Sequence, residues 1–180
     1  LDPEKLDAHL TDIAEITVDG LRNKDTERKI ATCVAVHTFG HPVDLDPLVE
    51  VCRKFKLTLI EDAAEAHGAE LDGRRAGAIG DVGCFSFRGD KIIGIGMGGM
   101  ITTDNSELAH RADYLIGLAG PGGFDRYSST EVGYKYDLSS VQAAIGVAQI
   151  EVLDDAINAK RDIMMWYNEL LPEEHFVKPR

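Results

Sequence analysis

Two stretches of the chain bring together residue types that do chemistry. In LIEDAAEAHG, residues 59–68, Glu61 and Asp62 follow the apolar end of a strand-like run. Ligands of open α/β sheets bind just beyond the carboxyl ends of strands, which is where these acids fall. The plain alternative is that they end a strand at solvent. In CFSFRGDKIIGIGMGG, residues 84–99, Lys91 stands five residues after Ser86 and is followed by Ile92, Ile93 and glycine-rich backbone. A lone lysine is ordinarily a solvated charge. One held among apolar neighbours loses hydration, and its neutral amine can attack a carbonyl to form a Schiff base.

Gly94, Gly96 and Gly99 also satisfy GxGxxG. The dinucleotide motif follows a strand and opens a helix, whereas these glycines lead into MITT at 100–103, so they are read as backbone that turns tightly beneath a ligand. His37, His41, His67 and Asp44 combine imidazole with carboxylate. Shared ligation at four-residue spacing suits a helix, while His37 and His41 belong to a loop, so no metal is expected and substrate contact or loop structure is preferred. Arg74, Arg75 and Arg88 are the basic groups nearest the two stretches, suited to a diphosphate or, more plainly, to solvated surface.

Positioning these residues requires a sheet. Residues 29–36, KIATCVAV, are almost continuously apolar, the pattern of a strand covered on both faces. A helix follows, capped by Asp44 or Asp46 with Pro47 in its first turn, and Leu48, Cys52 and Phe55 recur on one face. Residues 57–61, LTLIE, supply the next strand and complete a βαβ unit. Upstream, Asp2 and Pro3 stand as N-cap and first residue of a short helix over 4–10, and residues 19–28 read as a polar surface loop. Downstream, LDGR at 71–74 carries the Asp-Gly pair of a small hairpin. Residues 82–87 and 100–103 are short strands, and Asp104 caps a helix through about Leu118. Residues 121–129, PGGFDRYSS, read as a loop. Residues 140–171 have helical periodicity without an internal proline, predicting one long helix of the kind that spans two domains or a dimer interface.

Composition narrows the function classes. Nineteen Lys plus Arg against 31 Asp plus Glu give a net charge of −12, which repels nucleic acid and anionic lipid. No apolar run is long enough to cross a bilayer, and the expectation is a soluble cytoplasmic protein with neither nucleic-acid nor membrane partner. Cys33, Cys52 and Cys84 are widely spaced with no CxxC, which suits neither a disulfide framework nor a zinc cage.

Taken with VHTFGHPVDLDPL before it and EVGYKYDLSSVQAAIGVAQIEVLD after it, the stretch LIEDAAEAHGAELDGRRAGAIGDVGCFSFRGDKIIGIGMGGMITTD closely resembles the pyridoxal-phosphate sugar aminotransferases often called DegT-like, of fold type I. The resemblance runs from about residue 1 to residue 167. The opening LDPEKLDAHLTDIAEI and HTFGHP are most similar to the branch that aminates nucleotide-linked 4-keto-6-deoxy sugars toward legionaminic-type or perosamine-type sugars.

The resemblance implies an α/β fold, the large domain of a fold-type-I enzyme with a mostly parallel sheet and helices on both faces. It implies pyridoxal 5'-phosphate as cofactor, an amino-acid donor, with glutamate expected, a nucleotide-sugar substrate and a homodimer. Lys91 matches the lysine that holds the cofactor as a Schiff base and shuttles the proton. Asp62 matches the carboxylate that pairs with the pyridine nitrogen, Ala64 the small residue beneath the ring, and Ser86 a hydroxyl on the cofactor phosphate. Glu65 stands where many relatives have a glutamine near the ring hydroxyl, and Lys135 where an asparagine from the partner subunit reaches the cofactor. Met97 replaces a frequent small or acidic residue. Residues 1–171 are then part of the cofactor-binding domain without its N-terminal portion, residues 172–180 begin the small C-terminal domain, and the chain is a piece of a longer protein or its ordered part. Two rivals stand beside this reading. One is a dehydratase relative, in which a histidine replaces the lysine, and the other is an inactive fragment that only folds or dimerises.

Overall fold

Asp2 and Pro3 open the first helix as their types predict. In the computed structural model, which describes residues 1–120 and 128–172, α1 runs Pro3–Ile13 and the Asp2 carboxylate accepts from the Lys5 amide at 3.0 Å. The polar stretch after it is a loop only in part, since Gly20–Asn23 is a strand while residues 24–28 form a turn. Ala14–Thr17 (β1), Gly20–Asn23 (β2) and Lys29–Ile30 (β3) form an antiparallel sheet in the order β1-β2-β3. Leu21, 1% exposed, anchors it in the core. Two local devices make strands of polar sequence. The Thr17 hydroxyl donates to the Gly20 carbonyl across a two-residue turn, and Asn23 Oδ1 accepts from the amides of Asp25 and Thr26. The predicted strand over 29–36 therefore splits into β3 and Thr32–Val36 (β4), which belong to different sheets.

The main sheet has the order β4-β5-β8-β9, with β5 Thr58–Asp62, β8 Val82–Ser86 and β9 Gly99–Thr102. Its first three strands are parallel and β9 runs antiparallel to β8. Helix α2, Asp46–Phe55, joins β4 to β5 and buries Leu48, Val51, Cys52 and Phe55 against Cys33, Ala35 and Leu59. Each fully buried large side chain contributes about 1.5–3 kcal/mol, so this βαβ unit holds the sheet in place. The cap differs from expectation. Leu45 occupies the N-cap without a side-chain bond, and Asp46, already inside the helix, pairs with Arg74 at 2.8 Å. Strand β4 is not covered on both faces by the described residues, since Cys33 and Ala35 are buried while Val34 and Val36 are each 49% exposed.

Glu70–Leu71 (β6) and Arg74–Arg75 (β7) make the predicted hairpin, with Asp72 and Gly73 both at positive φ in its turn. Helix α3, Ser106–Ile116, is capped by Asn105 rather than Asp104, because the Asn105 side chain takes the amides of Glu107 and Leu108. The single long helix resolves into α4, Ser140–Ile150, and α5, Leu153–Leu170. A capping box of Ser139 and Gln142 starts α4, and Val152, at φ −113° and ψ 12°, leaves helical geometry between the two. Asp154 and Asp155 then sit in the first turn of α5, where the helix dipole favours acids. Residues 121–127 of the predicted loop and 173–180 of the predicted second domain lie outside the described residues.

Candidate active site

Strand alternation separates the two acids at the end of β5. Glu61 shares a face with Ala35 and Gly83, and Asp62 shares the opposite face with Val36 and Cys84. Glu61 is fully buried and accepts from the amides of Gly77, Ile79 and Gly80 at 2.7, 2.7 and 2.5 Å and from His37 Nε2 at 3.0 Å. Burial alone would raise its pKa, but the bonds from His37, Gly80, Gly77 and Ile79 overcome this and hold it at about 2. His37 Nδ1 accepts from the Val43 amide, which leaves its proton on Nε2 facing Glu61. Glu61 and His37 are thus a strut tying the 37–43 and 77–80 segments to β5. The turn packs closely enough on β8 that a Cβ at Gly83 would stand 2.1 Å from the Gly77 carbonyl.

Asp62 is bound differently, its Oδ1 accepting among the described residues from the Ala64 amide at 3.1 Å. Ser86, two residues beyond Cys84, ends the neighbouring strand on the Asp62 face, and its hydroxyl accepts from the Arg88 amide at 3.3 Å. After β8 the chain folds back on itself. Phe87 bonds Gly98, Gly89 bonds Gly96, and Ile93 and Ile95 are buried, so the glycine run feeds β9 and opens no helix. The Gln149 side chain of α4 holds both polar groups of Gly94, at 2.8 and 2.7 Å.

Lys91 leaves this fold-back with a side chain only 13% exposed, and its Nζ meets Glu65 Oε1 at 2.8 Å. The two residues line a cleft of about 650 Å³ with Phe39, His41, His67 and, from α5, Lys160 and Arg161. His67, 8% exposed, is held between the rings of Phe85 and Phe87 at 5.4 and 5.8 Å. Neither of its ring nitrogens has a hydrogen-bond partner among the described residues. Burial, and then the nearby Lys91 charge, lower its pKa. A larger apolar cavity of about 990 Å³ between β9 and α3 includes neither Lys91 nor Glu65.

Strand ends thus bring Asp62, Ala64, Glu65, Ser86 and Lys91 to one end of the sheet, where Glu65 and Lys91 line the cleft and Asp62, Ala64 and Ser86 lie outside its lining. By type, a mostly buried lysine, a carboxylate with an oxygen uncommitted among the described residues, a hydroxyl and a small side chain are a donor set that fits pyridoxal phosphate. Lys135 stands apart, with its side chain 68% exposed and its Nζ on Asp137 at 2.8 Å. The arginines are engaged with carboxylates, Arg88 with Asp90, Arg75 with Glu70 and Arg74 with Asp46. His37 is structural, and among the described residues no group of three His, Cys, Asp or Glu could hold a metal. Sequence reasoning missed Lys160, Arg161 and the setting of His67. The i, i+3, i+4 spacing of Ile157, Lys160, Arg161 and Met164 shows which face of α5 meets the cleft, but only once the break at Val152 is known.

The chain matches the family model of the DegT/DnrJ/EryC1/StrS aminotransferase family over residues 6–179. It is 44% identical over 136 residues to a GDP-perosamine synthase of Caulobacter vibrioides, covering 76% of this chain and 36% of that protein. It is 37% identical to a GDP-perosamine synthase of Escherichia coli O157:H7, covering 86% and 42%. The crystal structure of a DegT DnrJ EryC1 StrS aminotransferase from Brucella abortus superposes with a TM-score of 0.80 at 27% identity, covering 94% of this chain and 43% of that one. The chain therefore spans less than half the length of these relatives.

Proposed function

The chain belongs to the DegT/DnrJ/EryC1/StrS aminotransferase family, and from that premise we propose that it is the lysine-bearing part of a pyridoxal 5'-phosphate-dependent sugar aminotransferase. The enzyme moves an amino group from an amino acid, glutamate, to the keto carbon of a nucleotide-linked 4-keto-6-deoxy sugar in the cytoplasm. The observation that carries this reading is Lys91, its side chain 13% exposed, in a cleft at the strand ends. The GDP-perosamine synthases among the relatives support a nucleotide-linked sugar as substrate.

Bound here, pyridoxal phosphate supplies an aldehyde for the amine and a ring that accepts electrons from the substrate carbon. Lys91 would anchor it and move a proton at Nζ. The Asp62 carboxylate would hold the proton on the ring nitrogen, Ala64 would leave room for the ring, Glu65 would serve the ring hydroxyl, and the Ser86 hydroxyl would hold the phosphate. In a homodimer, Lys135 would have to leave Asp137 for its ammonium to hold the partner subunit's cofactor phosphate. The dehydratase alternative is disfavoured by the lysine itself.

Lys91→Ala tests the assignment. Wild-type protein incubated with pyridoxal 5'-phosphate gains a visible band that borohydride abolishes, and the variant gains none. An undiminished reducible band in the variant overturns the reading. Mixing inactive Lys91→Ala chains with chains inactivated at residues 133–137 tests the shared site. Partial recovery of activity is expected, and no recovery despite subunit exchange excludes the role of Lys135.

A further inference from the structure

The segment that carries Glu65 is fixed by its backbone. Ala63 and Ala66 on either side are buried and joined by a hydrogen bond, and Gly40, at φ +80°, lies so close that a Cβ there would stand 2.7 Å from the Glu65 carbonyl. Lys91 is fixed from the other side by the turn from its amide to the Arg88 carbonyl and by buried Ile93. The meeting of Nζ and Oε1 at 2.8 Å is therefore set by two braced segments. An ammonium withdrawn from water needs a replacement for its hydration, and a carboxylate supplies it.

Among the described residues lining the cleft, Glu65 is the carboxylate that pairs with Lys91 directly. Asp90 next to Lys91 gives both oxygens to Arg88 at 2.6 Å, and Glu70 pairs with Arg75. The other basic and titratable groups lining the cleft among the described residues are Lys160 and Arg161 of α5, together with His41 and His67, and none of them can accept a salt bridge from the Lys91 ammonium as a carboxylate does. Glu65 is itself held charged by its bond to Lys91. An amine attacks a carbonyl only in its neutral form, through the lone pair that the ammonium lacks.

From this geometry we propose that Glu65 is a proton-holding latch on Lys91, which keeps the amine as ammonium while the cleft is empty and so sets the pH at which Lys91 captures a carbonyl compound. The proposal rests on Lys91 being the cofactor-binding lysine. In the step it controls, the ammonium loses one proton to water, the neutral amine forms a C–N bond to the carbonyl carbon, and the carbonyl oxygen leaves as water. No oxidant or reductant is required.

The test reads the amine directly. The full chain and its Glu65→Gln variant are labelled with limiting acetic anhydride across the neutral to alkaline range, and acetylation of Lys91 is measured by peptide mass spectrometry against Lys160 as internal reference. Near neutral pH the variant labels about fivefold faster at Lys91, and its labelling profile moves to lower pH. An unchanged profile in a variant with native circular dichroism overturns the proposal. If Glu65→Gln fails to fold, Glu65→Ala is read the same way. A second arm traps pyridoxal 5'-phosphate with borohydride and maps the adduct. Faster trapping at Lys91 in the variant supports the latch, and equal rates oppose it. Adducts confined to other lysines defeat the reading of Lys91 as the cofactor lysine, while the acetylation arm still decides whether Glu65 holds its proton.

Discussion

Glu61 and Lys91 are charged groups near the carboxyl ends of β5 and β8, and the protein withdraws both from water in opposite ways. Glu61 receives four hydrogen bonds, three of them from backbone amides of one turn. Every lone pair that matters is engaged, and the group fixes backbone. Lys91 has one carboxylate partner, on a residue whose side chain is 43% exposed, beside an imidazole whose nitrogens make no hydrogen bond of good geometry among the described residues. Saturated bonding makes a group structural, whereas a buried group left with capacity to spare can exchange its partner for a ligand. Adjacent acids in the sequence, Glu61 and Asp62, thus take opposite fates for no reason beyond the two-residue period of a strand.

The largest effect that would break this contrast lies at Glu61. Glu61→Ala leaves three amides and His37 without their acceptor, and urea denaturation is expected to show a loss of about 3–5 kcal/mol. Lys91→Ala is expected to change stability by less than about 1 kcal/mol. Equal losses in the two variants would dissolve the distinction between strut and site.

Acid sharpens the same point. The Glu61 carboxyl lies at about 2 against an ordinary value of 4.5. A depressed carboxyl contributes stability above its unfolded value and loses it as pH falls, so stability should decline from about pH 4.5 and be exhausted near pH 2. The size of the loss is about 3 kcal/mol, and it should be absent in Glu61→Gln. A smaller change is expected at Asp62. Asp62→Asn should keep the wild-type urea midpoint yet lower kcat/KM of the intact enzyme about a hundredfold, equivalent to about 2.7 kcal/mol. A turnover within a few-fold of wild type would remove Asp62 from the site.

Elements that announce themselves locally were legible. The Asp2-Pro3 start, the apolar face of α2 and the Asp72-Gly73 turn each rest on chemistry within a few residues. Features that depend on a distant partner were not. The β1–β3 sheet is made from largely polar sequence and becomes stable because Ala14, Leu21 and Ile30 reach the core. The choice of Asn105 over Asp104 turns on which residue has the extended backbone of a cap, and the break at Val152 separates two helices whose apolar periodicity continues through it. The site divides likewise. Lys91, Asp62, Ala64 and Ser86 were singled out as candidates from motifs, while the Glu65 contact and the α5 wall of the cleft exist only after folding.

His67 offers the finest test of the contrast. Two imidazole nitrogens buried without hydrogen-bond partners among the described residues cost about 1–3 kcal/mol, which the tilted ring contacts with Phe85 and Phe87 only partly offset. His67→Leu is similar in volume and carries no polar atom, so it should raise stability at neutral pH by about 1 kcal/mol. The pH dependence gives a second signature. Burial, with Lys91 adding to it, lowers the folded pKa of His67 below its ordinary 6.5. The unfolded chain therefore takes up a proton first, and wild-type stability should begin to fall as pH drops below 6.5, well before Glu61 titrates. In His67→Leu that early decline should vanish and the later one, near the carboxylate range, should remain. Urea midpoints measured at intervals of pH separate the two. If His67→Leu is instead destabilised at every pH with its early decline intact, the imidazole is satisfied in solution, and this side of the cleft is as saturated as the Glu61 strut.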